Sequence, residues 1–75
     1  MQGTVTAVRK QGVEATMDNP GTPPGIFYVV RADRTIAGAV EVHGEVTPTD
    51  WLFNWVSPVP DPPVSIGDTL IPVNP

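Results

Sequence analysis

Ile36-Ala37-Gly38-Ala39-Val40-Glu41-Val42-His43-Gly44-Glu45-Val46 is the longest segment in this chain with a period of two. Ile36, Val40, Val42 and Val46 fall on one side with Gly38 and Gly44, while Ala37, Ala39, Glu41, His43 and Glu45 fall on the other. Strand side chains alternate between faces, so this spacing predicts a half-buried β-strand. The two glycines mark bulges or bends within it.

The rest of the chain repeats the strand signal in shorter pieces. Thr4–Arg9 and Val13–Met17 are two β-prone runs separated by Lys10, Gln11 and Gly12, a hairpin spacing in which Gly12 supplies a positive φ. In the second run Val13, Ala15 and Met17 share one face against Glu14 and Thr16. Ile26–Arg31 is a nearly continuous apolar run, which predicts a central strand covered on both faces. Ala32–Thr35 turns this run into the long segment. Thr69–Ile71 is the last strand, and Pro72 places it at an edge or an end.

Thr47–Val56 carries two opposed signals. Trp51, Phe53 and Trp55 alternate as in a strand. Thr47, with Pro48 next and Asp50 beyond it, matches an N-cap, an N1 proline and an acidic first turn, so a short helix near residues 48–56 is the competing expectation.

Composition agrees with β-structure. Val, Ile and Thr supply 24 of the 75 residues and Leu only two, favouring side chains stiff at χ1 over helix formers. Seventeen residues are Gly or Pro, concentrated in two connections. Asp18–Gly25 contains no apolar side chain apart from its three prolines and predicts a surface loop. Ser57–Pro63 has four prolines in seven residues and predicts an extended strap, spanning roughly 20 Å at polyproline rise. The expected architecture is one all-β domain over residues 1–75, a small barrel or sandwich of five to six short strands, with the strap at 57–63.

Val64-Ser65-Ile66-Gly67-Asp68-Thr69-Leu70 is similar to the V-x-x-G-D-x-L turn of many small β-barrel modules, including biotinyl and lipoyl carrier domains. A carrier's modified lysine stands in a tight hairpin within a Met-Lys-Met or Asp-Lys context. Lys10 lies in a hairpin without either context, so the resemblance supports the turn and not a carried cofactor.

Charge and motif content narrow the function. The net charge is −4, and the four cations Arg9, Lys10, Arg31 and Arg34 are scattered and form no basic stripe, which argues against nucleic acid as a partner. No apolar stretch approaches the roughly 20 residues of a membrane-spanning helix, nor the apolar run of a signal peptide. Ser57 and Ser65 lack a companion base pattern, the glycines form no phosphate-binding fingerprint, and no cofactor, metal or small-molecule substrate is expected. Glu41, His43 and Glu45 share a strand face, but in-line ligands about 6.6 Å apart do not converge on one metal, so a solvated face is the expectation.

What remains is a protein-binding role without catalysis. A chain this short buries only about 60% of its unfolded surface, and without cysteine it has no disulfide to add stability, so burial against a partner is the device left to it. Trp51, Phe53 and Trp55 either fill the core or anchor a partner, since aromatic anchors concentrate binding energy. Pro58, Pro60, Pro62 and Pro63 form a stiff segment that loses little entropy when it lies across a neighbour. The composition resembles that of small accessory proteins of tailed-phage particles, of the capsid decoration, cement or tail type. That resemblance implies a virion subunit assembled in a host cytoplasm, contacting other subunits and copies of itself. The alternative is a free, cytoplasmic monomer that regulates or inhibits a protein partner through the Asp18–Gly25 loop.

Overall fold

The computed structural model describes residues 1–73, and among them every regular element is a strand. These are β1 (Gly3–Val8), β2 (Gly12–Met17), β3 (Ile26–Val30), β4 (Ile36–Glu45), β5 (Asp50–Trp55) and β6 (Thr69–Pro72). They close into an antiparallel barrel in the order β1-β2-β5-β4-β3-β6, with β6 returning to β1. The barrel, not the sandwich, is the architecture.

Three one-residue bulges help the sheet curve shut. Thr6 is the extra residue on β1, while Ala37 and His43 are the extras on β4. A bulge bends its strand and increases local twist, which closure of a six-stranded sheet demands. Ala37 adjoins Gly38 and His43 adjoins Gly44, so both glycines of the long segment do stand at bends.

The interior is filled by alternate residues of the strands. Val5, Val13, Ala15, Met17, Phe27, Val29, Val40, Trp51, Phe53 and Leu70 are all buried, and Val64 joins them from the strap side. Phe27 and Phe53 meet edge to face inside the barrel, with centroids 5.6 Å apart and planes at 79°. That geometry is the favoured one for aromatic pairs. Each fully buried Val or Phe contributes about 1.5–3 kcal/mol of transfer free energy.

Three expectations change here. β3 is covered on one face only: Phe27 and Val29 point inward, while Ile26 and Tyr28 are exposed. In a closed barrel every strand has an outer face, and Tyr28 sits beside Ile71 of β6 on that outside. The short helix near residues 48–56 does not form. Thr47 Oγ1 accepts the Asp50 amide at 3.0 Å, the hydrogen bond of an N-cap, but it closes the β4–β5 turn instead. The amides of Val46 and Thr47 then bond the Asp50 carbonyl, at 2.9 and 3.1 Å, and start the ladder.

Gly12 has a different purpose from the one its position suggests. It has no positive φ, and Arg9 and Gly12 close a two-residue loop of Lys10 and Gln11. Glycine is required because the backbone of β5 passes too close to admit a side chain.

Topology gives the two proline-rich segments their paths. β2 and β3 stand on opposite sides of the ring, as do β5 and β6. Residues 18–25 must therefore cross one end of the barrel and residues 56–68 the other. Pro23 is buried in the first crossing and Val64 in the second, so each segment caps an end. The other three connections are hairpins between neighbours.

Candidate functional site

The end crossed by the strap holds a largely apolar depression. Its geometry starts at Trp55, the last residue of β5, whose amide donates to the Gln11 carbonyl at 2.8 Å. A β-carbon on Gly38 would stand 3.2 Å from Trp55 Cζ3 and 2.6 Å from Ser57 Oγ. The missing side chain thus lets the indole and the Ser57 hydroxyl lie against β4. Ser57 Oγ accepts the Ala39 amide at 3.0 Å, and the Val56 amide donates to the Ala39 carbonyl at 2.9 Å. These contacts fix where the strap leaves the sheet.

Arg31 fixes its far end. The guanidinium donates to the Pro63 carbonyl at 3.0 Å and also to the Pro62 carbonyl. Charge-assisted bonds of this kind are among the stronger ones. Beyond them the chain turns at Ser65–Asp68, where Gly67 has a φ of 97°. Asp68 is buried, and its carboxylate accepts the Ser65 amide at 2.9 Å. Its carbonyl accepts the Val5 amide at 2.8 Å, and the Gly67 amide donates to the Val5 carbonyl at 2.8 Å. The V-x-x-G-D-x-L segment is a turn that docks onto β1.

Between strap and hairpin lies a groove of about 240 Å³. Trp55, Pro60 and Pro63 form one side, Val8 and Val64 contribute apolar surface, and Arg9 and Lys10 stand at it from the β1–β2 turn. The Arg9 guanidinium donates to the Phe53 carbonyl at 3.0 Å and to Asn54 Oδ1 at 3.2 Å. Both acceptors are uncharged, so the guanidinium keeps its full charge. Among the described residues, Arg9 and Lys10 are the only ionisable groups lining the groove, and no carboxylate or hydroxyl lines it. This arrangement can bind and hold; it supplies no acid–base pair.

Two other depressions are more polar. One, of about 350 Å³, is bordered by Gln2, Thr4, Thr16, Asp18 and Thr69. The other, of about 440 Å³, lies between the Arg31–Asp33 turn and Ser65–Asp68. At its edge the Asp33 carboxyl is held below its ordinary pKa by the Thr35 hydroxyl at 2.6 Å, then by the Thr35 amide, with a smaller contribution from Arg31. Both the bonds and the charge serve the β3–β4 turn, in which Arg34 takes a φ of 71°.

The structure divides the residues assigned to partner binding. Trp55, Pro60 and Pro63 come together in the groove. Trp51 and Phe53 do not: they lie inside the barrel, 6% and 0% exposed, and Trp51 Nε1 has no hydrogen-bond partner among the described residues. Their strand register points both inward, so they are core and not anchors. Pro58 and Pro62 are exposed outside the groove, and the Pro62 carbonyl is taken by Arg31. The strap crosses its own barrel, whereas the sequence reading lays it across a neighbour.

Arg9, Lys10 and Val59 are not among the residues that the sequence assigns to partner binding, although Arg9 and Lys10 are adjacent and make up half of the chain's four Lys and Arg residues. Glu41, His43 and Glu45 are all exposed on β4. Among the described residues no group of three or more His, Cys, Asp or Glu stands close enough to hold a metal ion. Among the described residues no helix is long and apolar enough to cross a membrane. No known protein family, curated protein or solved structure matches the chain.

Proposed function

We propose that this protein is a non-enzymatic assembly subunit that docks a neighbouring protein in the groove between Trp55, the strap and the β1–β2 turn. The observation carrying this reading is the groove's chemistry: apolar walls, an aromatic ring and two cations, with no group suited to proton transfer. Half-buried Trp55 is positioned to gain contacts on docking, while the barrel behind it is already filled. A pre-formed wall of prolines adds contact area at low conformational cost. The phage-like composition extends the proposal to a virion accessory subunit of the decoration, cement or tail type, joined to other subunits or to copies of itself.

The test is sedimentation of the native protein from lysate of its source. Migration with a megadalton particle in fixed stoichiometry supports the proposal. A species that stays near the 8.0 kDa monomer mass overturns it. That outcome favours a free regulatory or inhibitory binder, for which the exposed Pro20, Thr22 and Pro24 of the opposite crossing offer a surface.

A further inference from the structure

We infer that the groove recognises an acidic, apolar peptide segment in extended form, with an apolar side chain against Trp55 and a neighbouring carboxylate at Arg9 and Lys10. The inference rests on the docking proposal above and names the chemistry of its partner.

Charge placement carries the argument. The chain has four cations against eight carboxylates, yet the groove is lined by two of the four and by none of the eight. Arg9 is anchored on uncharged oxygens, which orients the guanidinium without neutralising it. Lys10 is exposed at the tip of a two-residue loop. A carboxylate is attracted to this rim and repelled by most of the remaining surface, so charge selects the site as well as the ligand.

The opposite wall gives no competing polar recognition. Four of the seven strap residues are prolines, which have no N–H to donate. The carbonyls of Pro62 and Pro63 are occupied by Arg31. Apart from the strap's few other backbone groups and Asp61, which is exposed and lies outside the groove lining, the contacts available there are apolar, from Pro60, Pro63 and the exposed Val59. A ligand must therefore present an apolar group on one side and its negative charge on the other.

Size and shape favour a peptide over a small cofactor. About 240 Å³ falls below the roughly 300–1,000 Å³ of small-molecule sites. One or two side chains of an extended chain fit such a space. A nucleic-acid strand would need a longer basic track than two adjacent residues to gain comparable affinity.

The probe is acetyl-Gly-Leu-Glu-Leu-Glu-Gly-amide, titrated into the folded protein while the Trp55 indole resonance is followed by NMR. Its counterpart carries Gln in place of both Glu residues. The expected result is saturable movement of the Trp55 signal by the acidic peptide with a dissociation constant at or below about 1 mM, and at least about tenfold weaker binding of the Gln peptide. Lys10→Glu should weaken the acidic peptide by about tenfold while the spectrum of the barrel core is retained, and added salt should act in the same direction.

Equal binding of both peptides overturns the inference, as does an unmoved Trp55 signal. Saturable movement of the Trp55 signal by oligothymidylate but not by the acidic peptide overturns it in favour of nucleic acid. Peptide binding by a protein that never sediments with a particle would leave this chemistry standing and remove the assembly reading. Co-sedimentation without peptide binding would do the reverse.

Discussion

The Gly12 Cα and the Phe53 carbonyl are packed so closely that a β-carbon on Gly12 would lie 1.7 Å from that oxygen. The Phe53 carbonyl carbon would be only 2.7 Å away. Both obstacles are backbone of β5, so no side-chain rotation relieves them. Gly12→Ala must move β2 from β5 and should cost about 3 kcal/mol or more in urea unfolding. Gly44→Ala is the matched control: nothing lies within 4 Å of its added carbon, and its change should stay within about 0.5 kcal/mol.

Phe53→Ala and Trp55→Ala separate core from groove, although the two residues are neighbours on one face of the same strand. Phe53 is fully buried against Phe27, and its truncation should cost about 3–5 kcal/mol. Trp55 is half-buried, so its truncation should cost about 1–2 kcal/mol and leave the barrel folded. Equal losses in denaturant titrations would place Trp55 in the core and remove it from the groove.

Arg31→Gln should loosen the strap without opening the barrel. It removes bonds to Pro62 and Pro63 at a partly exposed site, for a cost of about 1 kcal/mol. Hydrogen exchange should quicken at the Ser65 amide, which bonds Asp68, and stay slow at Ala15 and Phe53 in the sheet. Uniform acceleration would mean that Arg31 supports the whole fold.

Asp33 gives the β3–β4 turn an acid dependence. Its carboxyl is held below the ordinary value first by the Thr35 hydroxyl, so the folded turn binds a proton less readily than the unfolded chain does. The stabilisation is complete above the ordinary Asp pKa of about 3.9 and is lost as pH falls through the lowered value. Thr35→Val should move the Asp33 titration upward in carboxyl-detected NMR. An unchanged midpoint would show that the hydroxyl is not the cause.

Much of this fold is legible in the sequence because alternation and turn chemistry are local. Val13, Ala15 and Met17 point inward as their spacing predicts, and Gly67 takes the positive φ that its turn demands. The misreadings all need non-local information. Thr47 makes the same hydrogen bond in an N-cap and in this hairpin, so only the partners of Trp51 and Phe53 decide for strand. Ile26 and Tyr28 look buried until closure gives their strand an outside. Ser57–Pro63 reads as an extended strap across a neighbour, and its path over its own barrel follows only from β5 and β6 standing on opposite sides of the ring. The groove was half legible: Trp55, Pro60 and Pro63 carry compositional signals, whereas Arg9 and Lys10 matter because the hairpin brings them beside the strap.

Closure of the ring also restricts how any other chain can bind. Each strand has a neighbour on both sides, so the sheet offers no free edge to which a foreign strand could add by main-chain hydrogen bonding. The narrowest join is between β1 and β6, where only Gly3 with Leu70 and Thr4 with Thr69 are paired. Strand addition would have to unzip that seam first, surrendering the burial of Val5 and Leu70. Recognition through side chains leaves the ladder intact, and strand exchange between copies is held back by the same closure.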